Sequence, residues 1–311
     1  MSIRGRAIPA FLLLLPLCGL AWAQDAGSVS ALESLRLTAP DAAGIAASVP
    51  SFKAAPVEIQ SNVSIESLSG AALLQALHEQ TGRSYREHSY DEAQNYIFSA
   101  ADNVLRGGER GVADAYSGVF VPGSGTEGGG YRENGDQNGD NFVDSQGMNI
   151  EHVWPQSFFA KRLPMKSDVH HLMATFIHPN SIRGSLPFGE VRGQGEYHND
   201  GGAKAGQGVF EPPDAAKGRV ARAMLYFFTR YYDRNITNGG FSGQFWNDKL
   251  ELILRWNREF PPDKDESRRN DLVEQFQGNR NPFVDEPGIA DRIGAEALKR
   301  VSRWDALNSG Q

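Results

Sequence analysis

Apolar residues along the chain fall into helical patterns early and late, with strand candidates between them. Leu73, Leu74 and Leu77 share one helical face, and Gly82 is expected to end that run. Ser89 followed three residues on by Glu92 reads as a capping box, opening a second helix that carries Tyr96, Ile97 and Ala100. Val112, Tyr116, Val119 and Phe120 suggest a strand over 111–121, and further strands are expected at 149–154 and 168–174. A helical turn is expected from Phe176 to Arg183, capped by Thr175. Beyond it, Asp214 is placed to cap a helix bearing Val220, Met224, Phe227 and Tyr231 on one stripe. Another helix runs through Trp246, Leu250, Ile253 and Leu254, and a third holds Leu272 and Phe276 and stops at Gly278. The pattern predicts an α+β fold, mainly helical with a small central sheet.

The first residues read differently. Arg4 and Arg6 precede a short apolar stretch at 11–17 and the small-x-small triplet Ala21-Trp22-Ala23, the order of a secretory signal cleaved near Ala23. That stretch is too short to span a bilayer, and no other segment qualifies. The expected organisation is a signal peptide at 1–23, a leader at 24–65 rich in Ala, Ser, Val and Pro, and a globular domain at 66–311. Cys18 is the only cysteine and lies in the signal. An exported chain without disulfides must rest on its core, or on its core and a metal.

The formal net charge of −7 argues against a nucleic-acid binder, and loss of Arg4 and Arg6 makes it more negative. Local charge differs. Lys161, Arg162, Lys166, Arg183 and Arg192 gather near the candidate chemistry, and Lys217, Arg219 and Arg222 form a second cluster.

Glu151-His152, followed by Val153-Trp154-Pro155, places a hard oxygen ligand beside an imidazole that can take a proton from water. Neighbours on a strand face opposite ways, so both reach one site only where the chain turns; Pro155 suits a turn. Asn180 offers a second oxygen, and Arg183, three residues on, shares its helical face and offers a phosphate-sized cation. A base, a metal held by two oxygens and a cation together point to metal-assisted phosphodiester hydrolysis.

Asn149 to Gln156 (NIEHVWPQ), Lys166 to Leu172 (KSDVHHL), Asn180 to Val191 (NSIRGSLPFGEV), Phe210 to Ala223 (FEPPDAAKGRVARA) and Gln277 to Pro287 (QGNRNPFVDEP) resemble, in this order, the endonuclease I family of secreted bacterial nucleases. The similarity runs over about residues 70 to 290. The resemblance implies a ββα-metal, or His-Me finger, site. It implies Mg²⁺-dependent cleavage of DNA and often RNA, with little sequence preference and 5′-phosphate products; Mn²⁺ would substitute for Mg²⁺. Carried onto this sequence, His152 matches the general base, Glu151 and Asn180 the metal ligands, and Arg183 a basic position given a phosphate role. Asp168 and His171 match a stretch expected to orient His152 or a metal-bound water from behind. Glu211 and Arg222 match positions read as structural. The chain departs from cysteine-rich members, which use disulfides and a loop arginine; here that loop offers only Lys161 and Arg162.

Upstream, Asp136, Asn138, Asp140, Phe142 and Asp144 follow the first nine positions of a calcium loop, with Asn141 at the turn and Gly147 where a bidentate glutamate would stand. Ca²⁺ there would stiffen the approach to Glu151. A non-catalytic extracellular calcium-binding module is the competing reading. A zinc hydrolase using His152, His170, His171 and His178 is a third, weakened by the lack of a His-Glu-x-x-His helix.

Overall fold

The computed structural model describes residues 64–237 and 245–299. The chain divides at Glu58, and all described residues belong to the unit from Ile59 onward. The expected signal peptide, and the leader apart from Ser64 and Ile65, lie outside the described residues.

Helix α1 (Gly70–Arg83) buries Leu73, Leu74, Leu77 and Thr81. It passes through Gly82 instead of ending there. The Arg230 guanidinium lies 3.3 Å from where a Cβ on Gly82 would stand, so the glycine admits a close neighbour. Helix α2 (Tyr90–Tyr96) opens on the expected capping box, with the Ser89 and Glu92 side chains each accepting the other's backbone N–H. It continues as a wider π-helical turn over Ile97–Ala101.

The expected strand 111–121 is two strands. β1 (Asn103–Arg106), β2 (Glu109–Ala113) and β3 (Phe120–Pro122) form an antiparallel sheet. Asp114 breaks the run, because its carboxylate accepts the Ser117 N–H at 2.6 Å and Gly118 turns with φ of +73°. Tyr116 is thereby buried within the turn.

β4 (Met148–His152) and β5 (Leu172–Phe176) pair antiparallel, with Glu151 opposite Met173 and His152 opposite Leu172. β5 starts later than expected because Asp168 caps a 3₁₀ turn over Val169–His171. Helix α3 (Ile177–Arg183) follows β5 directly. Phe176 occupies its cap position, so Thr175 does not cap it. A small sheet of β6 (Tyr197–His198), β7 (Lys204–Gly206) and β8 (Val209–Glu211) comes next.

Helix α4 (Asp214–Tyr231) is the central pillar, buried over most of its length. Pro213 rather than Asp214 takes its cap position. α5 (Leu250–Glu259) packs on it, and α6 (Lys264–Gln277) ends at Gly278 with φ of +86°. Phe227 and Trp246 meet Trp154, which follows β4, in one aromatic core. A second core, with Ile97, Phe98, Ile150, Leu172 and Val273, supports the β4–β5 pair. Asp102 locks this platform, accepting from Arg219, Arg269 and the Ala174 N–H of β5. Burial would raise its carboxyl, but the two guanidiniums outweigh that and hold it at about 2. The observed architecture is α+β, as the residue pattern predicts. No described helix is long and apolar enough to cross a membrane.

Candidate active site

The end of β4, the second half of α3 with the residues just past it, and the turn after Pro155 enclose a cleft of about 450 Å³. Glu151, His152, Asn180, Arg183 and Lys161 all line it. The chain bends just past His152, so the two neighbours on β4 contribute to one cavity.

His152 is 5 % exposed. Its Nε2 lies 3.1 Å from the Lys166 carbonyl oxygen, which can only accept, so Nε2 carries the proton. The neutral ring therefore keeps its lone pair on Nδ1. Burial, then the neighbouring His171, lowers the imidazole to about 3 and keeps it neutral near pH 7. Tyr90 stacks on the ring at 5.6 Å, and the Lys166 ammonium sits 4.3 Å over the Tyr90 ring.

Glu151 is 1 % exposed, and burial raises its carboxyl against the opposing pull of Arg183. Arg183 Nη1 stands 3.0 Å from Glu151 Oε1, an ion pair by distance that leaves this oxygen without a hydrogen bond. The guanidinium also donates to the carbonyls of His152 at 3.0 Å and Val153 at 2.6 Å. Arg183, expected to meet a phosphate, is itself 1 % exposed and committed to holding the end of β4.

Asn180 donates from Nδ2 to Asn149 Oδ1 at 2.7 Å and to the Ile150 carbonyl at 3.2 Å. Both bonds fix the amide and leave Oδ1 for the cleft. Glu151 and Asn180 are the cleft residues whose oxygens could hold a hard cation, with room beside them for water.

Asp168 and His171 do not hydrogen-bond His152. Asp168 accepts from Tyr226, Tyr231 and Gln277, tying α4 and α6 to the turn before β5. His171 bonds the Met165 carbonyl at 2.6 Å and meets the His152 ring edge-on at 5.6 Å. The second basic cluster is internal: Lys217 pairs with Glu211 and Asp214, Arg219 with Asp102, and Arg222 with Glu266. Glu211 and Arg222 are thus structural. His170 bonds the Asn279 carbonyl and His178 bonds Asp140, so the four histidines of the zinc reading do not converge. Among the described residues no group of three or more His, Cys, Asp or Glu is arranged to hold a metal.

Asn149, Tyr90 and the Lys166 carbonyl escaped sequence reasoning. Asn149 had a usable signal, since it lies two residues before Glu151 on one strand and so faces the same side. Tyr90 had none, because only the fold brings α2 to the cleft.

The sequence profile of Endonuclease I matches residues 70–288. An extracellular ribonuclease of Bacillus amyloliquefaciens is 36 % identical over 156 residues, covering 47 % of this chain and 53 % of the relative. An extracellular ribonuclease of Bacillus subtilis is 35 % identical over 167 residues, 50 % of this chain and 56 % of the relative. A periplasmic deoxyribonuclease of Aeromonas hydrophila is 27 % identical over 124 residues, 39 % of this chain and 48 % of the relative. The chain spans about half the length of the curated relatives it matches.

Proposed function

Because the chain belongs to the endonuclease I family, we propose that it is a secreted or periplasmic endonuclease acting on DNA and RNA with little sequence preference. The observation that carries this reading is the placement of His152: tied through Nε2 to the Lys166 carbonyl, with Nδ1 left free in a cleft shared with Glu151 and Asn180. Related proteins that are extracellular or periplasmic nucleases support both the reaction class and the export route. The β4–β5 pair followed by α3 is then the ββα-metal element.

In this account His152 Nδ1 takes a proton from water as the water oxygen bonds to phosphorus. The P–O3′ bond breaks, giving a 5′-phosphate and a 3′-oxygen that is protonated as it leaves. Negative charge gathering on the attacked phosphate favours the imidazolium and offsets its burial. Glu151 and Asn180 Oδ1 would hold Mg²⁺, or Mn²⁺, which when bound neutralises charge on the phosphate and the departing oxygen. Arg183 opposes the effect of burial on Glu151 and holds it in place. Lys161, in the left-handed region with φ of +55° and lining the cleft, is the cation placed to meet phosphate.

The test is cleavage of plasmid DNA and of RNA by the wild type and by Glu151→Gln across Mg²⁺, Mn²⁺ and EDTA. Wild type should cut with either metal and stop in EDTA, while Glu151→Gln should fall at least a hundredfold. Undiminished cutting in EDTA would remove the metal from the account.

A further inference from the structure

We propose that the loop Asp136–Asp144 is a calcium site, separate from the cleft, whose ion ties the approach to β4 onto helix α3. The loop backbone is already shaped for it. The Asp136 carboxylate accepts the N–H groups of Asp140 at 3.1 Å and Asn141 at 2.9 Å. Asn138 Oδ1 accepts the Asp140 N–H at 3.0 Å, and Asp140 Oδ1 the Phe142 N–H at 2.9 Å. Asn141 turns the chain with φ of +62°, at the sixth position where calcium loops turn sharply. Such turns also form without an ion.

Asp144 sets this loop apart. It is 1 % exposed, and its Oδ1 accepts the His178 N–H at 2.8 Å. Its Oδ2 has no hydrogen-bond partner. The carboxyl lies among acids, interacting with Glu133 and Asp140, which are 4 % and 9 % exposed. Glu133 does not relieve it, since its own oxygens are occupied by the N–H groups of Gln137, Asn138 and Asp144. The Asp200 carboxylate also packs against Gly139, whose missing side chain makes the room. A buried, unpaired carboxylate oxygen beside other acids needs either a proton or a cation.

The ligand chemistry favours calcium. Asp136, Asn138, Asp140 and the Phe142 carbonyl supply a mixed set of oxygens, and the ninth residue commonly acts through water. Mg²⁺ asks for tighter octahedral geometry and keeps its waters. The ion would act on the neighbouring cleft only by position: Asp144 and Asp140 hold His178, two residues before Asn180, and β4 begins at Met148.

The proposal does not rest on the nuclease reading, and its test is kept apart from it. The full chain is stripped of metal, then titrated with CaCl₂ by calorimetry and melted with and without calcium. The Glu151→Gln variant runs in parallel to delete the cleft ligand. One calcium should bind wild type and Glu151→Gln alike, with Kd of about 10⁻⁴ M or tighter, and raise Tm by several degrees. Tb³⁺ in its place should show emission sensitised by Tyr197, whose hydroxyl lies 3.2 Å from Asp140. Asp144→Asn should raise Tm in EDTA by relieving repulsion, yet weaken calcium binding at least tenfold. Asp136→Asn should weaken binding as much. Binding lost in Glu151→Gln but kept in Asp144→Asn would overturn the proposal. So would no binding at millimolar calcium, or a Tm for Asp144→Asn in EDTA well below wild type.

Discussion

Replacing Arg183 by leucine separates two roles for its guanidinium: holding the end of β4, or meeting the substrate. The side chain is 1 % exposed beside an equally buried Glu151, and it donates to the carbonyls of His152, Val153 and Gly184. Removing one partner of a buried ion pair typically costs about 3–5 kcal/mol, because the remaining charge is stranded. For a domain of this size each kcal/mol shifts Tm by about 2–4 °C, so a fall of roughly 10 °C is expected. Arg183→Lys keeps the charge but not the fork, and should recover only part of the loss. Combining Arg183→Leu with Glu151→Gln should be less destabilised than Arg183→Leu alone, since no bare carboxylate remains. The assay is thermal and urea denaturation in EDTA, with no substrate present. A Tm within a degree or two of wild type, with the defect confined to KM, would refute the scaffolding role and return Arg183 to the phosphate.

Other expectations follow from the same geometry. Asn149→Ala frees the Asn180 amide and should weaken Mg²⁺ affinity about 10–100-fold while the protein stays folded; an unchanged metal titration would contradict this. Lys161→Ala should raise KM and flatten the salt dependence of cleavage, leaving Tm unchanged, and an unaltered salt slope would deny it a phosphate contact. His170 and His171 are each lowered to about 4, by burial first and despite Asp168, so the folded state disfavours their charged forms. Between pH 6.5 and 4 the unfolded chain binds more protons. Stability is therefore full above pH 6.5 and should fall as pH drops, by up to about 2.7 kcal/mol per pH unit from the two together. Urea denaturation across that range checks it, and a flat profile would show that these histidines charge freely in the fold.

Local signals in the sequence carried much of this. The Ser89–Glu92 capping box and the Leu73–Leu77 stripe needed only neighbours a turn away, and both formed as their spacing predicts. Glu151, His152 and Asn180 were legible as a set because one hairpin and one short helix bring them together. The strand over 111–121 was misread because period-two patterning does not reveal that Asp114 prefers to bond Ser117. Arg183 shows a different limit. A cation three residues after Asn180 shares its face, yet spacing does not say whether that face meets solvent or the carbonyls of the next strand. Asp168 likewise serves tyrosines on α4 that are far away in sequence. Tyr90 and the Lys166 carbonyl, which set the ring and tautomer of His152, depend wholly on tertiary packing.

The most direct measurement is single-turnover cleavage by His152→Ala with Mg²⁺, with and without added imidazole. If His152 Nδ1 is the base, the variant keeps its Mg²⁺ affinity and its Tm within a few degrees, and loses about 10²–10⁴ in rate. Imidazole then restores part of that loss. A variant that cleaves at the wild-type rate, or that loses Mg²⁺ binding and gains nothing from imidazole, would contradict the account.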